Sequence, residues 1–224
     1  MKGIMLAAGK STRTYPHTIS RPKPLLKLLD KTIIEYNLSQ LSGTIDELCV
    51  VVGYKKEEII KRFPELTFVY NPDFKATNTS KSLMLALQST KKDDILWLNG
   101  DVCLDKEVIS RVLQKGGNTI GVNSEECGEE EVKYLTDESG KIIEISKQVK
   151  IAEGEAIGVN LISEKDFSVF LEKLVVCDDN DYFEKGIELA VNDQVDFFPA
   201  DISGCRCIEV DFKEDLEKAK KMFR

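Results

Sequence analysis

The chain has 224 residues, 42% of them hydrophobic and 31% charged, and its formal net charge is −8. This length and composition predict one large domain with a sizeable core. The charge excludes a general attraction to nucleic acid or to an anionic membrane, so an anionic ligand would need a local basic patch.

Strands and helices alternate along the first half of the chain. Apolar runs typical of buried strands occupy residues 3–8, 47–53, 66–71, 93–102 and 118–123. Apolar residues at helical spacing fall between them, at 31–41, 55–63, 80–90 and 106–115. This alternation predicts βαβ units and a mostly parallel sheet.

The rhythm changes after residue 124. Alternating residues on both sides of 137–140 predict a hairpin, and later segments predict strands at 155–163, 195–200 and 207–211 and helices at 165–174, 181–191 and 213–223. No internal repeat or low-complexity linker interrupts the chain. We therefore expect one domain over residues 1–224, with a β-rich insertion.

The cysteines and the N-terminal residues indicate the cellular compartment in which we expect the protein. Six cysteines form no CxxC pair, and the chain has one histidine, so we expect reduced structural thiols in a cytoplasmic protein. The N-terminal residues do not resemble a signal peptide, and no apolar run approaches the roughly 20 residues that span a bilayer. We expect no membrane partner and no nucleic acid partner.

The loop LAAGKSTRTYPHTISRPKP follows the first predicted strand. A strand that ends in glycine and enters a polar loop can present consecutive backbone N–H groups to a phosphate. Lys10, Arg13 and Lys23 add positive charge to it. Neither GxxxxGK[ST] nor GxGxxG is present. A phosphate site and a basic surface loop both fit these residues.

Two aspartates end apolar runs elsewhere in the chain. Asp101 follows the predicted strand of 93–102, and Asp211 ends CIEVD. Carboxylates at the carboxyl edge of an open α/β sheet can hold a Mg²⁺ ion that bridges phosphate oxygens. Each aspartate also suits a helix N-cap, and both interpretations stay open at this point.

Together these segments resemble the sugar-phosphate nucleotidyltransferase superfamily, whose pattern is L-A-A-G-x-G-[ST]-R, a proline, and then P-K. The chain carries LAAGKSTR at 6–13 and PKPL at 22–25, followed in order by VVVGY, LNGDV and IEVDFKEDLEKA. The resemblance implies a Rossmann-like, three-layer nucleotide-diphospho-sugar transferase fold. Residues 1–123 would form the nucleotide-binding half, and 124–224 the acceptor-binding half with the C-terminal helix.

The middle of the chain is most similar to the small cytidylyltransferases that act on phosphocholine and related phosphorylated amines. The segment NPDFKATNTSKSL carries the resemblance, and the Q-x-x-x-x-G-T-A stretch of sugar-1-phosphate enzymes is missing. The resemblance implies that Asn78 and Ser82 read the cytosine. It also implies that the acceptor is bound by residues of the second half, namely Lys133, Lys147, Glu155 and Asn160.

The resemblance also assigns roles around the triphosphate. Arg13 would stabilise the β- and γ-phosphates, Lys23 would meet the α-phosphate, and Asp101 and Asp211 would hold Mg²⁺. The remaining nucleotide-binding positions that it implies are Leu6, Ala7, Ala8, Gly9, Lys10, Ser11, Thr12, Gly53, Tyr54 and Asp101. Ser11 departs from the pattern, because it adds a Cβ where the family has its second glycine.

The resemblance thus implies transfer from CTP to a small phosphorylated or phosphonate amine or amino acid, with release of pyrophosphate. It suggests decoration of surface glycans as the setting. A sugar-1-phosphate nucleotidyltransferase that uses UTP or dTTP is one alternative, and a catalytically silent nucleotide-binding domain is another. The acceptor's identity and the oligomeric state, a homodimer among the options, stay open.

Overall fold

The computed structural model describes residues 1–11, 18–125, 127–128 and 131–224. The strands of these ranges are β1 (Lys2–Ala7), β2 (Glu47–Val52), β3 (Thr67–Tyr70), β4 (Ile95–Asn99), β5 (Val102–Leu104), β6 (Asn118–Asn123), β7 (Lys133–Thr136), β8 (Ile142–Ser146), β9 (Gly154–Ile162), β10 (Phe197–Asp201) and β11 (Cys207–Glu209). The helices are α1 (Ile33–Leu41), α2 (Lys56–Arg62), α3 (Thr79–Gln88), α4 (Lys106–Lys115), α5 (Phe167–Val176), α6 (Phe183–Asn192) and α7 (Lys213–Met222), with a short 3-10 helix at Lys23–Leu25.

The main sheet has the strand order β10-β6-β9-β4-β1-β2-β3. Strands β1 to β4 pair in parallel, as do β6 and β10, whereas β9 runs antiparallel between β4 and β6. The hairpin of β7 and β8 joins the sheet through β9. The predicted mainly parallel sheet with a β-rich insertion is confirmed. The direction of β9 has no sequence signal, because its sequence lacks the strict alternation that marks an antiparallel strand with one exposed face.

Helices cover both faces of the sheet. Buried residues of α3, α5 and α6 pack on one face, and those of α1, α2 and α4 pack on the other. On the first face Trp97 stacks on Phe170, with ring centroids 5.3 Å apart, and meets the edge of Phe183 at 5.8 Å. The chain is therefore the three-layer α/β structure that the sequence predicts.

The strand predicted over 93–102 ends at Asn99, and Gly100 explains why. Its N–H donates to the carbonyl of Leu6 at 2.8 Å, and a Cβ on Gly100 would lie 2.8 Å from that oxygen. The chain then turns into β5, which pairs antiparallel with β11 in a separate two-stranded sheet. The N–H of Val210 donates to the carbonyl of Asp101, so two distant segments meet beside β1.

Two further observations concern the state of the cysteines and the lengths of the helices. All six cysteines lie in the described ranges and are free. The longest helices have 10 residues, and no helix of the described ranges has the length and apolar character to cross a bilayer.

Candidate active site

A cavity of about 560 Å³ opens where β1 and β4 end at the carboxyl edge of the sheet. Open α/β sheets bind their ligands at this edge. The cavity is lined by the loop after β1 and the start of α3, by the segments around Asp101 and Asp211, and by the start of α6 with residues near the hairpin, which we call the far side. It therefore joins the two halves of the chain.

The loop after β1 lines the cavity with Leu6, Ala7, Ala8, Gly9 and Ser11. Lys10 is exposed and is not among the described lining residues. Thr12 and Arg13 lie outside the described residues.

Ser11 has a left-handed backbone, with φ of 51°. Its carbonyl accepts a 2.7 Å hydrogen bond from Oγ1 of the buried Thr18. Glycine adopts this conformation without steric strain, whereas the Cβ of serine is strained in it. The backbone of Ser11 thus has a conformation that suits the glycine which the resemblance implies at this position.

Gly53 and Tyr54 support the loop from outside the described lining of the cavity. A Cβ on Gly53 would lie 2.6 Å from the carbonyl of Ala8, and the N–H of Tyr54 donates to the same oxygen at 2.9 Å. The hydroxyl of Tyr54 donates to the carbonyl of Ile19 at 3.0 Å. These two residues position the loop rather than face the cavity.

Asn78 and Ser82 both line the cavity from α3. Asn78 is the N-cap of the helix, and its side chain accepts from the N–H of Thr79 at 2.8 Å. Ser82 is buried, and its hydroxyl accepts from Nδ2 of Asn71 at 3.0 Å. Their side chains thus have structural partners as well as a place in the cavity wall.

Three carboxylates and one lysine meet at the base of the cavity. Oxygens of Asp101, Glu209 and Asp211 lie within 4.8 Å of one another, and we call these residues the carboxylate cluster. Nζ of Lys23 donates to Oδ2 of Asp101 at 2.8 Å and to Oδ1 of Asp211 at 3.0 Å. The Lys23 side chain is only 5% exposed, so this is a nearly buried ion pair network.

The charges of this network shift the pKa values of its members. Burial disfavours the charge of Lys23, but Asp101 and Asp211 outweigh that effect, and the pKa of Lys23 is raised. Burial and the same two aspartates raise the pKa of Glu209 well above its ordinary 4.5. Lys23 therefore stays charged, while the cluster carries more negative charge than one ammonium balances.

The carboxylate cluster suits a divalent cation. NTP transferases in general use such an ion, and carboxylate oxygens are the ligands that hard cations such as Mg²⁺ take. Burial and the charges of Asp101 and Asp211 raise the pKa of Glu209, and a bound cation would offset the electrostatic cost of ionising it. The residues present thus fit a metal ion.

The far side of the cavity carries Glu131, Lys147, Tyr182 and Glu184. Nζ of Lys147 lies 5.1 Å from the ring centroid of Tyr182, within the range of a cation–π contact. Burial raises the pKa of Glu184 to about 7, and the charge of Lys147 only partly offsets this. This side can receive a cation and an anion together.

Three of the residues predicted to bind the acceptor are not in the described lining, which includes Lys147 alone of that set. Lys133 and Glu155 lie opposite each other on β7 and β9, and Oε2 of Glu155 accepts from the N–H of Gly128 at 2.9 Å. Asn160 is buried on β9 beside Trp97. Acceptor binding by these residues stays a prediction.

Sequence reasoning missed Glu209 and Glu184. Glu209 stands two residues before Asp211 in an extended segment, and side chains two apart in a strand share a face, so a signal for it was present. Glu184 lies in the first turn of α6, and no local pattern places that turn beside the cavity.

The N-terminal part of the chain, up to residue 136, matches a known protein family. The model of the MobA-like NTP transferase domain matches residues 3–136. The chain belongs to this family. It is a nucleotidyltransferase by family, and the matched residues include the loop after β1, Lys23 and Asp101.

Two curated relatives show how far the likeness extends. A bifunctional protein GlmU of Methanococcus maripaludis is 36% identical over 113 residues, which is 48% of this chain and 26% of that protein. The chain thus spans about a quarter of that relative's length. A choline-phosphate cytidylyltransferase of Streptococcus pneumoniae is 26% identical over 231 aligned positions, covering 100% of this chain and 99% of the relative.

Solved structures share the fold. An inositol-1-phosphate CTP transferase of T. maritima superposes with a TM-score of 0.81 at 19% identity, over 99% of this chain and 94% of that one. A UDP-glucose pyrophosphorylase superposes with a TM-score of 0.78 at 13% identity, over 99% and 97% of the two chains. Because these proteins are named for different nucleotides, the fold alone does not select the base.

Proposed function

We propose that the chain is a Mg²⁺-dependent cytidylyltransferase that joins CTP to a small phosphorylated or phosphonate amine or amino acid and releases pyrophosphate. The observation that carries the proposal is Lys23, which bridges Asp101 and Asp211 at the base of a cavity open to two substrates. The S. pneumoniae relative, which matches over its full length, is a choline-phosphate cytidylyltransferase by name and supports CTP.

The proposed reaction is a displacement at the α-phosphorus of CTP. An acceptor phosphate oxygen forms the new P–O bond, and the bond to the bridging oxygen of the β-phosphate breaks. Since the acceptor oxygen is already ionised near neutral pH, no general base is needed. Catalysis then consists of positioning and of stabilising charge. Lys23 supplies that charge at the α-phosphate, and Arg13 is assigned to the leaving pyrophosphate.

The carboxylate cluster would hold the metal ion. Asp101 and Asp211 are the proposed ligands, and Glu209 stands close enough to serve as a third or to hold a metal-bound water. A bound Mg²⁺ would neutralise phosphate charge in the site. With a cation bound there, Lys23 would no longer have to balance the two aspartates alone, and its ammonium would be available to the nucleotide.

The nucleotide is assigned to the side of the cavity formed by the loop after β1 and α3. The backbone of Ala8, Gly9 and Ser11 faces the cavity and suits phosphate oxygens. Asn78 and Ser82 line the same cavity, and amide and hydroxyl groups can read the edge of cytosine. Gly53 and Tyr54 contribute by holding the loop.

The acceptor is assigned to the far side of the cavity. Glu184 is the proposed partner of the acceptor's ammonium group in place of Glu155, because Glu184 is in the described lining of the cavity and Glu155 is not. Tyr182 adds an aromatic face that attracts cations, and Lys147 adds positive charge for the acceptor's phosphate. This pairing of a carboxylate with a lysine favours a zwitterionic acceptor over the phosphate of a neutral sugar, which carries negative charge only.

A pyrophosphate-release screen tests the proposal. Four NTPs are crossed with phosphocholine, an aminoalkylphosphonate, phosphorylated amino acids and glucose-1-phosphate, at fixed Mg²⁺. We expect turnover with CTP and an amine-bearing acceptor. Turnover with UTP or dTTP and glucose-1-phosphate alone would replace the proposal with a sugar-1-phosphate enzyme. Binding of nucleotide without turnover on any acceptor would favour the silent domain.

A further inference from the structure

The N-terminal turn of α3 is bonded to a segment about 100 residues further along the chain. We call the connection between α5 and α6, residues 177–182, the α5–α6 loop. The N–H of Asn78 donates to the carbonyl of Asp179 at 2.7 Å, and the N–H of Ser80 donates to that of Asp181 at 3.3 Å. Backbone donors that helices usually leave free at this end are thus used to hold the loop.

Side chains of α3 complete the attachment. Oγ1 of Thr79 accepts from the N–H of Phe183 at 3.0 Å, which caps α6 from outside that helix. Nζ of Lys81 donates to the carbonyl of Val175 at 3.1 Å and to that of Cys177 at 2.5 Å, where α5 ends and the loop begins. Four consecutive residues, 78–81, therefore hold the loop at both of its ends.

This attachment connects the two sides of the cavity. Asn78 and Thr79 line the nucleotide side, while Tyr182 and Glu184, at the end of the loop and the start of α6, line the acceptor side. Lys81 is not among the described lining residues. Any influence of Lys81 on substrate binding is therefore indirect, through the backbone carbonyls of Val175 and Cys177 that it holds in place.

We propose that Lys81 is a positioning residue, which transmits nucleotide binding at α3 to the acceptor side through the α5–α6 loop. A nucleotide that fixes Asn78 and Thr79 restricts the loop bonded to them, and the loop then holds Tyr182 and Glu184 in place for the acceptor. Ordering by the first ligand lowers the entropic cost of binding the second, which makes the two bind cooperatively. The inference rests on the proposed function only in taking CTP as the nucleotide.

Hydrogen exchange followed by mass spectrometry tests this without an identified acceptor. The probe is CTP with Mg²⁺ and no acceptor, and the readout is the CTP-dependent change in exchange of peptides covering 177–184. In the wild type we expect CTP to slow that exchange by about fivefold or more. In Lys81→Met we expect this change to be smaller than in the wild type, because the start of the loop is released while Asn78, Thr79 and Ser80 still hold the rest of it. Protection of peptides covering 6–11 should persist.

Lys173→Met is the matched control. It removes the ion pair of Lys173 with Asp193 between α5 and α6 and leaves the contacts of Lys81 in place. It should therefore retain the CTP effect on 177–184. A purely structural role of Lys81 would alter the exchange rate without ligand but not the CTP-dependent difference.

The outcomes separate this inference from the proposed function. Protection at 6–11 with no change at 177–184 in the wild type, or with an equal change in Lys81→Met, would overturn the coupling and leave the cytidylyltransferase intact. No CTP-dependent change in any peptide would overturn both, since neither stands without a CTP site.

Discussion

The two sides of the cavity are built in different ways. The side assigned to the nucleotide contains one continuous stretch of chain, the loop after β1, which lines the cavity beside α3 and the carboxylate cluster, and Lys23 follows shortly after it. The side assigned to the acceptor draws Glu131, Lys147 and Glu184 from three separate segments, and these side chains carry charges of both signs. A backbone cradle suits a ligand shared by many enzymes, whereas scattered side chains can change one at a time.

This contrast explains how one fold can serve several acceptors. Substituting a residue near the hairpin or at the start of α6 alters the acceptor side and leaves the loop after β1 untouched. The contrast predicts that variants on the nucleotide side affect every acceptor equally, and that variants on the acceptor side discriminate between acceptors.

The largest effect is expected for Lys23→Ala. Loss of its ammonium removes charge stabilisation at the α-phosphate, and turnover should fall by about 10²–10³-fold with every acceptor. The measurement is the rate of pyrophosphate release by the folded variant. Lys27→Ala, an exposed lysine nearby, serves as control and should keep full activity. A loss that depended on the acceptor would break the contrast between the two sides.

Glu209→Gln should separate stability from activity. The substitution replaces a carboxyl group whose ionisation is opposed by its burial and by the charges of Asp101 and Asp211, which together raise its pKa in the native chain. Without metal, the melting temperature should rise by about 2–4 °C, which corresponds to about 1 kcal/mol for a chain of this size. The Mg²⁺ concentration for half-maximal rate should rise about tenfold or more.

Two measurements on Glu209→Gln test this. The first is thermal unfolding with and without Mg²⁺, and the second is a Mg²⁺ titration of the reaction rate. A lower melting temperature without metal would show that Glu209 is not a repelled carboxylate. Equal changes with all acceptors are expected, because the cluster belongs to the nucleotide side.

Glu184→Gln probes the acceptor side. With an amine-bearing acceptor we expect KM to rise about tenfold, the loss of one charged contact, and KM for CTP to stay the same. Glu188→Gln, which alters the partner of Lys185 on the same helix, should change neither constant. A similar loss with glucose-1-phosphate would contradict the assignment of Glu184 to an ammonium group.

The same residue gives a pH dependence with a definite sign. The pKa of Glu184 is raised to about 7, so the carboxylate forms as pH rises through that value. The acceptor KM of the wild type should therefore fall as pH rises from 6 to 8, and that of Glu184→Gln should not follow it. Comparing the two proteins with one acceptor cancels the acceptor's own titration.

Ser11→Gly should have the smallest effect. Glycine relieves a left-handed residue, and the free energy of unfolding should rise by at most about 1 kcal/mol, measured by urea denaturation. Lys55→Gly is the control, because Lys55 has a similar φ of 49° and lies outside the described lining of the cavity. Only Ser11→Gly should also change KM for CTP.

The sequence predicts the nucleotide side of the cavity better than the acceptor side. The loop after β1 could be read because its residues are consecutive and follow an apolar strand, and the alternation of strands and helices predicted the three layers. Tyr182 and Glu184 could not be read, since only tertiary packing brings α6 to the cavity. The resemblance implies Glu155 in the second half, and its Oε2 accepts from the N–H of Gly128, so acceptor binding by Glu155 stays a prediction.

The hydrogen bond from Thr18 to the carbonyl of Ser11 has a use in protein engineering. Together with the bonds from Tyr54 to the carbonyls of Thr18 and Ile19, it holds Ser11, Thr18 and Ile19 to one another and to Tyr54. Ser11 and Thr18 can therefore serve as fixed junctions for exchanging the six residues between them as a cassette. A library of such cassettes would test the contacts with the triphosphate that we propose for Arg13.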